Sequence, residues 1–376
     1  MERKLTKTGA TSLAALCCLS MWVGIGCSTD IDLTAPYERT PVVFSLLEAA
    51  QDTQWVRINR TWLGDGNQFD AAMVQDSSEY DRDDLIVVMD ERSGEQVLRT
   101  WQLQDTVIEN KSTDGIFYGP NHQMWFFVPE GGLDSEAEYD FSMDIADGTH
   151  AEASTNMIAT QAGNITQPPP GVVNFKFGFA SIGFQTTYPD ITFKWSSTEG
   201  ASQYDISMRI HVTERIWADL EHTQLVDELD RIIEWPMGSL RTDTDEGGEV
   251  LQKEVNGERF FTTLSTQLVE DPYITRVLGS WDENVQIARA FDFILTIANE
   301  ELATYLEINS PVTGVIQERP EYTNINGGLG LFASRASQGV YGVGYTTSTI
   351  EQLMEGDATA ALNFCTPNPF SDFFCD

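Results

Sequence analysis

Tyr139-Asp140-Phe141-Ser142-Met143-Asp144-Ile145 alternates apolar and polar side chains without a break. A backbone of period two sends Tyr139, Phe141, Met143 and Ile145 to one face and the polar residues to the other, which is the pattern of a half-buried strand. The same pattern recurs upstream. In residues 55–62, Val56 and Ile58 share one face, while Arg57 and Asn59 share the opposite one. Residues 42–47 and 84–89 are nearly continuous apolar runs that read as core strands. Segments 97–102, 116–118, 123–128 and 153–158 supply further short strands. Between them lie Leu63-Gly64-Asp65-Gly66-Asn67 and Ser93-Gly94, where glycine supplies positive φ at no steric cost. No helical periodicity of useful length interrupts the series. Short strands spaced by such turns predict an antiparallel sandwich for residues 41–160.

Gln167-Pro168-Pro169-Pro170-Gly171 follows. Proline lacks the amide N–H and fixes φ, so neither sheet nor helix continues through it. Residues 161–172 are therefore expected to be a stiff connector to a second domain at 173–360. That domain opens with Phe175-Lys176-Phe177-Gly178-Phe179. It continues with Trp195 and then Tyr204-Asp205-Ile206-Ser207-Met208-Arg209-Ile210, whose apolar residues share one face and can pack on Trp195. This Trp, turn, Tyr-x-Ile succession resembles a fibronectin type III strand pair. Residues 225–235, 288–298 and 341–346 read as strands. Phe260, Phe261, Leu264 and Leu268 recur at helical spacing. Asn299 reads as an N-cap for a helix at 300–308, with Glu300 and Glu301 favouring its positive end, and 349–354 reads as a last short helix. The expected fold is mainly β: an N-terminal immunoglobulin-like β-sandwich, then a second β-rich, fibronectin type III-like α+β domain with one or two short helices.

The chain of 376 residues holds 58 Asp and Glu against 22 Lys and Arg, a formal net charge of −36. Such a surface repels nucleic acid phosphates and anionic lipid heads, which excludes nucleic acid as a natural partner. Hydrophobic residues make up 41%, enough for a globular core of about two domains.

The N-terminus carries Arg3, Lys4 and Lys7, then an apolar run over 13–25 that is shorter than the roughly 20 residues of a membrane-spanning helix. It ends in Gly24-Ile25-Gly26-Cys27. This resembles a bacterial lipobox, with Gly24 where a bulky aliphatic is usual. The resemblance implies a signal peptide at 1–26, acylation (palmitate) of Cys27 and a tether at 27–40. Asp30 and Asp32 just past the anchor are similar to the acidic export signal of Bacteroidota surface lipoproteins, which implies display outside the outer membrane. With Cys17 and Cys18 removed and Cys27 acylated, only Cys365 and Cys375 are left, in a C-terminal tail at 361–376. An oxidising exterior makes a disulfide between them the expected outcome.

Tyr322-Thr323-Asn324-Ile325-Asn326-Gly327-Gly328-Leu329-Gly330-Leu331-Phe332 resembles the C-terminal signature of a domain-of-unknown-function family of Bacteroidota surface lipoproteins, often encoded beside TonB-dependent receptors. The resemblance implies such a receptor as partner and transfers no active-site residue. Read from the residues alone, the glycines do not form a dinucleotide fingerprint or a P-loop, because position 333 is Ala and no Lys-Ser/Thr follows. They suit a bent strand where backbones approach closely.

Residues 243–254 match a calcium loop at Asp243, Asp245, Gly248 and Glu254, and with Glu249 these acids make a candidate Ca²⁺ ligand set. Gly247 offers no side-chain oxygen at the fifth position, and an acidic hairpin tip is the alternative. His122, His150, His211 and His222 are scattered, without metal spacing or a catalytic partner. The tryptophans fit either a core or a sugar platform. The sequence thus points to a cell-surface outer-membrane lipoprotein acting as a non-catalytic binding or accessory module with a glycan or peptide ligand. A surface glycan hydrolase and a structural surface-layer component are the alternatives.

Overall fold

The computed structural model describes residues 39–63, 67–109, 111–159, 165–172, 174–242, 244, 246–310 and 321–375. Cys27 with the expected signal and most of the tether, the turn at 64–66, part of the connector, and Asp243 and Asp245 lie outside the described residues.

The first strands are β1 (Pro41–Leu47), β2 (Gln54–Arg60), β3 (Leu85–Ser93), β4 (Gln96–Gln102), β5 (Gln104–Ile108), β6 (His122–Phe127), β7 (Glu138–Ile145) and β8 (His150–Asn156). They form two layers. β1, β2, β6 and β5 are neighbours in one sheet, and β4, β3, β7 and β8 form the other. The alternating pattern of β7 buries Tyr139, Phe141, Met143 and Ile145, which meet Val43, Val56, Ile58, Trp125 and Phe127 of the facing sheet. Each fully buried apolar side chain of this size contributes roughly 1.5–3 kcal/mol. Helices α1 (Gln68–Ala72) and α2 (Gln75–Ser78) stand between β2 and β3, where no helix is expected from the sequence. At five and four residues they are too short to show helical periodicity. Residues 116–118 are not a strand but part of an irregular loop.

The second half contains β9 (Ile165–Gln167), β10 (Lys176–Phe177), β11 (Ser181–Ile182), β12 (Thr186–Thr187), β13 (Asp190–Ser196), β14 (Gln203–Trp217), β15 (Leu225–Arg241) and β16 (Val250–Asn256). After helix α3 (Glu258–Gln267) come β17 (Ile274–Leu278), β18 (Ser280–Asp282), β19 (Ile287–Arg289) and β20 (Phe291–Ala298). Helix α4 (Glu300–Asn309), β21 (Leu329–Tyr345), α5 (Thr347–Glu355) and β22 (Phe364–Cys365) complete it. Trp195 is fully buried against Tyr204, ring centroids 5.7 Å apart, and the Tyr204 hydroxyl accepts the Thr198 N–H at 2.7 Å. Phe193 stacks on Phe293 at 4.7 Å and joins the small sheet β16–β13–β9 to the large one. Phe260, Phe261 and Leu264 of α3 are buried in this second core, as their spacing predicts.

The division into separate domains at 161–172 needs correction. Thr40–Asp376 forms one compact unit. A single 11-stranded sheet, ordered β22-β17-β14-β20-β21-β1-β2-β6-β5, with β10 and β15 beside it, runs through both halves. The joint is β21. Its first residues pair in parallel with β1, Val42 opposite Leu329 through Leu47 opposite Ser334, and its later residues pair antiparallel with β20. Phe332 on β21 is buried in the first core, 6.0 Å from Phe141. A Cβ on Gly330, at φ 116°, would fall on the Val43 carbonyl oxygen, so glycine permits the close approach of the two strands. The C-terminal tail is likewise part of the sheet. β22 pairs with β17, and Cys365 and Cys375 form a disulfide across a separation of 10 residues.

Candidate functional site

The outward face of the first sheet carries the most distinctive chemistry of the molecule. In β1 and β2 the buried residues alternate with Val42 and Phe44, which lie opposite Asn59 and Arg57. His122 opens the outward face of β6. The same alternation that drives Val43 and Ile58 into the core therefore lines up Phe44, Arg57, Asn59 and His122 outside it.

A roof closes over this face. Asn59 Nδ2 donates to the Ser78 carbonyl at 3.1 Å. Arg60 Nε donates to the Ser77 carbonyl at 3.3 Å, and its terminal nitrogen donates to the Asp76 carbonyl. These bonds hold α2 and its flank on the end of β2. On the other side, the 111–120 loop is fixed by Tyr118 N–H donating to the Ala72 carbonyl at 2.9 Å, and by Lys111 Nζ donating to the Tyr118 carbonyl at 2.7 Å. Trp62 meets Phe117 edge-to-face at 6.1 Å. The partly open cavity is about 200 Å³.

Arg57, Arg60 and Lys111 line this cavity, and Glu79 is the one carboxylate among the described residues that line it. Glu79 is already engaged, accepting Gln75 Nε2 at 2.7 Å and the Gln123 N–H at 3.1 Å. None of the three cations forms an ion pair with a carboxylate among the described residues. In a chain where acids outnumber bases 58 to 22, this is a local inversion of charge. Elsewhere Arg82, Arg92, Arg99, Arg209 and Arg335 each face a carboxylate. Burial, with like charges beside it, shifts two titrations. Burial, with Arg57 adding to it, lowers the Lys111 ammonium below its ordinary value. Burial, then Arg57 and Lys111, lowers His122, which favours its neutral form. His122 Nδ1 is buried without a hydrogen-bond partner among the described residues.

Other sequence candidates are not brought together. Glu249 is exposed, with its N–H donating to Ser197 Oγ at 2.8 Å, and Glu254 sits on β16 opposite Thr192. The elements on either side are thus strands, β15 before and β16 at Val250–Asn256, rather than two helices. Among the described residues no group of three or more His, Cys, Asp or Glu could hold a metal ion. His211 Nε2 and Asp292 Oδ2 are 2.8 Å apart in a second, polar cleft, but Asp292 also accepts the Gly342 N–H. No serine, threonine or cysteine side chain hydrogen-bonds to His211 among the described residues. His150 lies between Asp144 and Glu152, and His222 stacks on Trp217. Trp125, Trp195 and Trp235 are core residues, whereas Trp62 lines the cavity.

The sequence pattern places Arg57 and Asn59 on a polar strand face and does not by itself show the cavity, which distant segments form together. The available signal was Arg57 and Arg60 beside Trp62 in so acidic a chain. No protein-family model matches the chain, and no curated protein matches it in sequence.

Proposed function

We propose that the chain is a non-catalytic binding module, anchored through acylated Cys27 and displayed on the outer membrane, whose ligand seat is the cavity over β1, β2 and β6. The observation that carries the reading is the set of cations that have no carboxylate partner among the described residues, beside aromatic walls. Concave sites with mostly apolar walls and a few convergent polar groups are where small ligands bind. Hydrolysis of glycans fits less well, because a glycosidase needs two carboxylates at a defined separation. Here Glu79, the one carboxylate among the described lining residues, is engaged by Gln75 and by the Gln123 N–H. The lipobox-like Gly24-Ile25-Gly26-Cys27 supports the anchor, and the resemblance of 322–332 to surface lipoproteins encoded beside TonB-dependent receptors supports a receptor as partner.

The test is retention on an array of glycans, peptides and small acids by the full lipidated chain in detergent micelles, beside Arg57→Glu. Ligands held by the wild type and lost by the variant are expected. Binding that ignores Arg57 throughout would remove the cavity as the seat. Labelled palmitate should enter the wild type but not Cys27→Ser; equal labelling of both would remove the anchor.

A further inference from the structure

Resting on that reading, we propose that the cavity takes a carboxylate carried on a single ring, the shared chemistry of a sugar acid and an aromatic acid. Size sets the first limit. Drug-sized ligands occupy about 300–1,000 Å³, and a cavity of about 200 Å³ admits one ring rather than an oligomer.

Charge sets the second. Arg57 Nε donates to Asn59 Oδ1 at 2.6 Å, and Asn59 is itself tied to Ser78. The guanidinium is thus oriented through one edge while its terminal amino groups have no carboxylate among the described residues. A planar guanidinium matches a carboxylate through two parallel N–H donors. Arg60 differs, since its Nε and one terminal nitrogen already donate to the Ser77 and Asp76 carbonyls, and its guanidinium lies over Tyr80 at 5.4 Å. It contributes field rather than contact. Lys111 gives one N–H to the Tyr118 carbonyl and keeps two others.

The walls set the third limit. Phe44 is 38% and Phe117 53% exposed, an unfavourable position for large apolar rings unless something covers them. Aromatic faces stack on the C–H face of a sugar or the π face of another ring. A small hydrated anion such as phosphate would leave them uncovered.

Titration calorimetry on the full chain in detergent micelles tests this with glucuronate, phenylacetate, glucose and inorganic phosphate as probes. At least one ring acid is expected to bind, with glucose weaker by tenfold or more. Arg57→Gln should weaken the acid at least tenfold and Phe117→Ala several-fold. Lys111→Gln should weaken it less than Arg57→Gln, and unchanged melting curves establish that the variants fold. Glucuronate alone binding identifies a sugar acid, and phenylacetate alone an aromatic acid. Phosphate binding alone and through Arg57 would overturn the ring-acid assignment and leave the binding module intact. Silence from all four probes would overturn it as well, while the array decides separately whether the cavity binds anything.

Discussion

Among the described residues, Arg276 is the largest charged side chain that is buried, at 1% exposure. Its Nε donates to Glu214 Oε1 at 2.8 Å, and its terminal nitrogens donate to the Leu362 carbonyl at 2.8 Å and the Val269 carbonyl at 2.9 Å. One residue thereby ties β14, the segment after α3 and the turn before β22. Removing one member of a buried pair costs about 3–5 kcal/mol, because the other is left without compensation. Arg276→Met should lose about that much in urea unfolding. Glu214 keeps a longer bond to the more exposed Arg231 at 3.3 Å, so the loss should fall at the low end of that range. The double variant Arg276→Met, Glu214→Leu should recover most of it. Two histidines make a second test, with opposite signs. The Asp144 hydrogen bond, then Glu152, raises His150 above its ordinary 6.5. Its contribution is complete below pH 6.5 and fades as pH rises through the raised value. His122 is lowered, so the unfolded chain binds the proton more readily, and stability falls as pH drops through 6.5. Between pH 5 and 8, His122→Gln should therefore lessen the acid-side fall in stability, and His150→Gln should lessen the decline on the neutral side. Neither role was visible in the sequence, because side-chain neighbours depend on strand register.

Helix α4 and strand β21 show how far an element can be read. Asn299 was legible as a cap from Asn-Glu-Glu before an apolar run, and its side chain does accept the Leu302 N–H at 3.2 Å. What the sequence could not show is its other end, where Nδ2 donates to Thr155 Oγ1 at 2.8 Å and docks α4 on β8. A lost cap costs about 0.5–2 kcal/mol, and this second buried bond adds to it. Asn299→Ala should therefore cost about 2 kcal/mol in the midpoint of chemical unfolding, more than an isolated cap. The glycines around the start of β21 were legible as a place of close backbone approach, and Gly330 fits that reading. The partner was not legible, since local patterning carries no information about pairing between opposite ends of a chain. Gly330→Ala puts a methyl group on the Val43 carbonyl at a φ of 116° and should cost about 3 kcal/mol. Its mark should be loss of amide protection in β1 before any loss in β14.

The shared sheet decides how the whole molecule should unfold. Two sandwiches joined by a proline connector would be separate folding units, each able to open alone. Here each core borrows from the other half of the sequence. The first needs Ile325 and Phe332 from beyond α4, and its β1 edge is covered by β21. Without β21, the outer edge of β1 would present unpaired N–H and C=O groups, and the space beside Phe141 would be empty. The second core uses the continuation of the same strand, with Val340, Val343 and Tyr345 buried in it. A strand that is rigid along its length transmits the loss of one end to the other. Hydrogen exchange in increasing denaturant should then give one opening free energy for the slowest amides of β7 and of β14. A fragment covering 40–160 should expose apolar surface and lack a cooperative transition. Protected β7 amides that open well before those of β14, or a fragment that folds alone, would restore the two-domain description and make β21 a late addition to a finished sandwich. The cavity would then belong to an autonomous module. If the openings coincide, ligand binding over β1 and β2 should raise protection in β14 as well, because both report the same global equilibrium.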